Sequence, residues 1–108
     1  MTDGLDAGRS AGQREAALTD AEVAQLLPEL PSWALEGRAI RKTYRFGNYY
    51  ETMAFVNALA WLSHRADHHP DLSVGYDRCA VTYTTHWLGG LSRKDFQCAA
   101  KVDALFAG

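Results

Sequence analysis

Two stretches of alternating side chains, each interrupted by a short turn signal, constrain the fold more than any other feature of this chain. In the first, Trp33 and Leu35 alternate with polar neighbours, and Glu36-Gly37 reads as a turn. Ile40, Tyr44 and Phe46 then share one face of a run whose other face carries Arg41, Thr43 and Arg45. In the second, Leu72, Val74 and Tyr76 alternate, Asp77-Arg78 intervenes, and Cys79, Val81 and Tyr83 alternate again. Period-two patterning broken in this way predicts two β-hairpins. Lys42 falls on the apolar face of its run and is out of pattern there.

Helical signals separate and flank the hairpins. Thr19-Asp20-Ala21-Glu22 is a capping box, and Val23, Leu26 and Leu27 form one stripe that Pro28 and Pro31 bring to a stop. Asn48 with Glu51 caps a central helix carrying two apolar rows, Met53/Val56/Ala60 and Phe55/Leu59/Leu62. So broad a face predicts burial by the sheet and by a second subunit. This helix ends before Pro70. After Gly89-Gly90, Ser92 to Asp95 caps a last helix, with Leu91 and Phe96 at the staple positions and Ala99, Val102 and Phe106 continuing its stripe. The expected order is α-β-β-α-β-β-α, an α+β two-layer sandwich with a four-stranded antiparallel sheet and the helices on one face.

Length and composition narrow the function. A chain of 108 residues makes one core, so residues 18–108 are expected to be a single domain. Residues 1–17, rich in glycine and poor in large apolar side chains, are expected to be a flexible tail. A formal net charge of −2 argues against nucleic acid as a partner. No apolar run is long enough for a membrane span, and no signal peptide is visible. Cys79 and Cys98 form neither a disulfide framework nor a zinc spacing, so a reducing, cytoplasmic location is expected.

The chemistry concentrates in the histidines. His64, His68, His69 and His86 are the only four, and all lie between residues 64 and 86. Imidazole can donate and accept protons near neutrality. If the second hairpin pairs as predicted, the start of one strand faces the end of the other, which brings His86 near His68 and His69. Asp67 is placed to orient an imidazole. A metal site is the competing reading, with His64 and His68 at i and i+4 and His86 or Asp67 as a third ligand. The absence of HExxH, and the distance of both cysteines, argue against it. The bland reading of His68-His69-Pro70 is a helix C-terminal cap. Asp95 reads most simply as the capping-box acid of the last helix, Cys79 and Cys98 as core, and Trp33 and Trp61 as packing.

His68-His69-Pro70, Tyr76 six residues after the proline, His86 ten further on and Asp95 nine beyond that resemble the signature of the pterin-4a-carbinolamine dehydratases. The Leu-Pro-x-Trp stretch at Leu30 to Trp33, Tyr44-Arg45-Phe46, the Phe55 helix, Thr85-His86 and Gly90-Leu91-Ser92 extend the resemblance over Leu18 to Leu105. It implies a hydro-lyase that removes water from 4a-hydroxytetrahydropterin to give the quinonoid dihydropterin, with no metal or cofactor. His68, His69 and His86 would be catalytic, and His64, Asp67, Leu72, Thr84 and Thr85 would contact the pterin. His64 stands where many members have a carboxylate, and Leu72 where many have an aromatic. The resemblance further implies a homodimer or homotetramer and a functional link to an aromatic amino acid hydroxylase. The alternative on the same fold is a non-catalytic dimerisation or assembly protein, or a transcription cofactor.

Overall fold

The computed structural model describes residues 16–107. Residues 1–15, the greater part of the expected tail, lie outside the described residues. The elements follow in the predicted order: α1 (Asp20–Leu26), β1 (Ala34–Glu36), β2 (Ala39–Arg45), α2 (Tyr49–Ala66), β3 (Asp71–Val74), β4 (Arg78–Tyr83) and α3 (Arg93–Ala107). Short 3₁₀ turns at Leu27–Glu29 and His86–Leu88 complete it. The four strands form one antiparallel sheet in the order β1-β2-β4-β3.

Local signals act as their chemistry requires. The Thr19 hydroxyl accepts from the Glu22 N–H at 3.2 Å while the Glu22 carboxylate accepts from the Thr19 N–H at 2.8 Å. The Asn48 side chain accepts from the Glu51 N–H at 2.8 Å, and Glu51 reaches back one residue further, to the Gly47 N–H. Gly37 turns the first hairpin with φ +61°, a conformation in which a Cβ is strained. The second turn departs from the pattern. β3 stops at Val74 and the Gly75 N–H bonds the Arg78 carbonyl, so Tyr76 belongs to the turn and Arg78 already pairs with Arg45. The exposed Tyr76 ring stacks on Tyr49 instead of continuing the strand.

The core lies between the sheet and the two long helices. Ile40, Tyr44, Cys79, Val81 and Tyr83 from the strands meet Phe55 and Leu59 from α2 and Phe96, Cys98, Ala99 and Val102 from α3. On α2 the buried line is Thr52, Phe55, Leu59 and Ser63, whereas Ala60 of the other predicted row is exposed. Lys42 earns its place on the covered face through Asp103 of α3. That carboxylate accepts from Lys42 Nζ at 2.7 Å, from Trp33 Nε1 at 3.2 Å and from the Tyr44 hydroxyl. Burial pushes the Asp103 carboxyl up, but these three donors and the lysine charge outweigh it and hold the group below its ordinary value. Tyr44 is pushed up, by burial first and by Asp103 second.

Asp103→Ala leaves buried donors of Trp33 and Tyr44 without an acceptor, and is expected to cost about 2 kcal/mol at pH 7. A carboxyl whose folded pKa is lowered contributes stability that is present above its unfolded value, about 3.9, and is lost as pH falls through the folded value. The gap between wild type and variant in urea unfolding is therefore expected to be full at pH 7 and to narrow below about pH 4.

Candidate active site

The site is assembled where α2 ends and where β4 ends. α2 closes on Asp67, which adopts the left-handed conformation with φ 53°, unusual outside glycine, and its N–H bonds the His64 carbonyl. The Asp67 backbone thus reverses the chain into the histidine pair. The His68 N–H still reaches back to the Ser63 carbonyl. In the hairpin, Asp71 pairs with Thr82, which sets the start of β3 beside the end of β4. His68 and His69 on one side and His86 on the other therefore meet without any long-range device.

Asp67, His68, His69, Thr84, Thr85, His86 and Trp87 line one open depression of about 310 Å³. His69 and His86 are exposed, whereas the His68 side chain is only 13% exposed. Its ring stacks on the buried Tyr83 ring, with centroids 5.6 Å apart and planes 11° from parallel. Burial pushes the Tyr83 hydroxyl up, so that ring stays neutral near pH 7.

Behind His68 lies Asp95, with no exposed surface. Its Oδ1 is 2.5 Å from His68 Nε2, while Oδ2 accepts from the Thr85 hydroxyl at 2.7 Å, the Ser92 N–H at 2.8 Å and the Ser92 hydroxyl at 3.3 Å. The Ser92 N–H bond is the returning half of the predicted capping box. The same carboxylate therefore begins α3 and grips the imidazole. A carboxylate only accepts, so His68 Nε2 must be the donor and Nδ1 is the ring nitrogen left for other chemistry. His68 is held along its edge by Asp95 and across its face by Tyr83.

The structure brings seven side chains together, but not all those the sequence singled out. Leu72 lies on the exposed β3 edge and His64 on the exposed last turn of α2, and neither lines the depression. Both threonine hydroxyls are engaged within the protein: Thr84 donates to the Arg38 carbonyl at 2.6 Å, and Thr85 to Asp95. Among the described residues no three His, Cys, Asp or Glu side chains are gathered as a metal site. The bearing of Asp95 and Tyr83 on His68 went unread in the sequence. Asp95 had its spacing to His86 as a signal, and Tyr83 had none beyond strand alternation.

Comparison with known proteins gives a consistent result. The family model described as pterin 4 alpha carbinolamine dehydratase matches residues 16–105. A protein of Nitrosospira multiformis, provisionally named a pterin-4-alpha-carbinolamine dehydratase, is 60% identical over 89 residues, covering 82% of this chain and 79% of its own. One from Chromobacterium violaceum with the same provisional name is also 60% identical, covering 82% of each chain. Among solved structures, a transcriptional coactivator/pterin dehydratase from Brucella melitensis superposes with a TM-score of 0.78 at 31% identity, covering 82% of this chain and 97% of its own. A pterin dehydratase-like protein identified as a RuBisCO assembly factor in the alpha-carboxysome superposes with a TM-score of 0.60 at 35% identity, covering 68% of this chain and 88% of its own.

The double duty of Asp95 separates two variants. Asp95→Ala removes the cap and strands the donors of Ser92 and Thr85, at an expected cost of about 2–4 kcal/mol. Asp95→Asn keeps one carbonyl oxygen for the Ser92 N–H and is expected to cost less than half as much. Urea unfolding of both variants beside wild type measures the difference.

Proposed function

The chain belongs to the pterin 4 alpha carbinolamine dehydratase family, and from that premise we propose that it is a hydro-lyase acting on 4a-hydroxytetrahydropterin by histidine acid–base catalysis. The observation that carries this reading is the convergence of His68, His69 and His86 on one depression, with His68 held by a buried carboxylate. The reaction needs two proton movements. One imidazolium protonates the hydroxyl at C4a, which leaves as water. One neutral imidazole takes the proton from N5, and the N5–C4a double bond forms as the C4a–O bond breaks. Substrate becomes quinonoid dihydropterin plus water, and no net proton is consumed.

His68, with Nε2 committed to Asp95, would work through Nδ1. His86, exposed on the opposite wall, is the natural partner, and His69 completes the rim. Trp87 adds an indole to the lining of the same depression. Asp67, Thr84 and Thr85 frame the floor. In this reading Leu72 and His64, which lie outside the depression, meet the pterin only through its substituent or through a second chain. A homodimer or homotetramer fits the exposed β3 edge, where Leu72 is 36% and Val74 43% exposed and no described strand pairs with the outer side of the backbone. We further propose residues 18–108 as the dehydratase domain, preceded by a tail, in a cytoplasmic protein linked to an aromatic amino acid hydroxylase. Among the described residues no helix is long and apolar enough to cross a membrane.

The names of the two solved relatives raise a non-catalytic assembly or coactivator role as the other reading. The restrained geometry of His68 favours catalysis, because a scaffold has no need of an imidazole gripped on edge and face.

The test is an assay on freshly generated 4a-hydroxytetrahydropterin, with the spontaneous rate subtracted. Wild type is expected to accelerate dehydration, and His68→Ala and His86→Ala are each expected to lose about 10²-fold or more. A double variant that keeps full turnover contradicts the mechanism. Folded wild type with no acceleration and a stoichiometric protein partner would establish the assembly role instead.

A further inference from the structure

The hollow that gathers the histidines does not end at His86. Thr84 and His86 also form one wall of a second depression, of about 340 Å³, whose other wall includes Arg38, Gly89 and Gly90. Those three residues also line a leucine-rich cleft of about 520 Å³. The hollow beside His86 thus shares Arg38 with that cleft. Gly89 stands exposed there with φ +70°, a conformation that favours glycine, while Gly90 is buried against the Ala17 side chain.

Arg38 lines both hollows, and among the described residues no carboxylate pairs with it. Arg41, Lys42, Arg78 and Arg93 each have a carboxylate within 4 Å, whereas Arg38 has none among the described residues. Its Nη1 donates to the Gly89 carbonyl at 3.2 Å, and its own carbonyl is fixed by the Thr84 hydroxyl. The remaining guanidinium donors have no protein acceptor among the described residues. Asp20 also lines the cleft, so negative charge on a ligand is favoured near the guanidinium and disfavoured near that carboxylate.

We infer that Arg38 forms an anion subsite beside His86, selecting pterins whose C6 substituent carries an anionic group, a phosphate monoester or a carboxylate, over pterins with a neutral side chain. The inference rests on the pterin dehydratase reading. It makes Arg38 a specificity residue with no part in the proton transfers. A planar guanidinium presents paired donors to either oxyanion, and its exposure limits the gain through solvent screening.

The experiment titrates the full chain with 7,8-dihydropterins, which have no 4a-hydroxyl to lose, bearing the same C6 chain as a neutral polyol, a phosphate monoester or a carboxylate. Inorganic phosphate serves as a separate probe. The anionic ligands are expected to bind about 10-fold more tightly than the polyol at low salt, with the preference shrinking as salt is added. Arg38→Gln is expected to abolish that preference while leaving polyol affinity within about twofold. The phosphate and carboxylate arms identify which anion the subsite takes. Equal binding of neutral and anionic ligands by wild type, or a preference that survives in Arg38→Gln, overturns the inference. Turnover of the neutral substrate is scored separately, so failure of the dehydratase reading is distinguishable from failure of the subsite, which is read in binding.

Discussion

A carboxylate removed from water must find donors for its oxygens or impose a cost of several kcal/mol. Asp95 is wholly buried, and the structure around it is the answer to that demand. The start of α3 supplies the Ser92 N–H and hydroxyl, the end of β4 supplies the Thr85 hydroxyl, and the end of α2 supplies His68. One side chain thus ties three elements together at a single point. The site depends on this knot, because His68 is oriented by the same contact that completes the carboxylate's shell.

Asp103 plays the corresponding part at the other end of α3. It draws Lys42, Tyr44 and Trp33 onto the helix and registers it against β2. The two acids sit on one helix, one binding it to the sheet and the other to the histidine. α3 is the beam on which both sheet packing and site geometry rest. His69, between α2 and β3, and His86, at the start of the 3₁₀ turn, are by contrast exposed and open to the depression.

Much of this was legible in the sequence because local chemistry decided it. Capping residues started α1, α2 and α3, and alternation placed the strands. The hairpin argument alone brought His86 to His68 and His69, as the Asp71–Thr82 pairing shows. What escaped was chemistry spanning long separations. Asp95 lies 27 residues from His68, so its cap spacing was visible and its grip on the imidazole was not. Lys42 looked like a flaw in the pattern because its partner lies 61 residues away. Tyr76 was assigned to β3 because alternation cannot see where a turn begins. Leu72 and His64 entered the site set by resemblance, and the depression in this chain is built without them.

The central claim is that Asp95 fixes the tautomer of His68 and reserves Nδ1 for the reaction. Nitrogen-15 NMR of the neutral His68 imidazole tests it most directly. The account predicts that neutral His68 carries its proton on Nε2 with Nδ1 bare, and that Asp95→Asn disturbs this pattern. A neutral His68 carrying its proton on Nδ1 in the wild-type chain would contradict it.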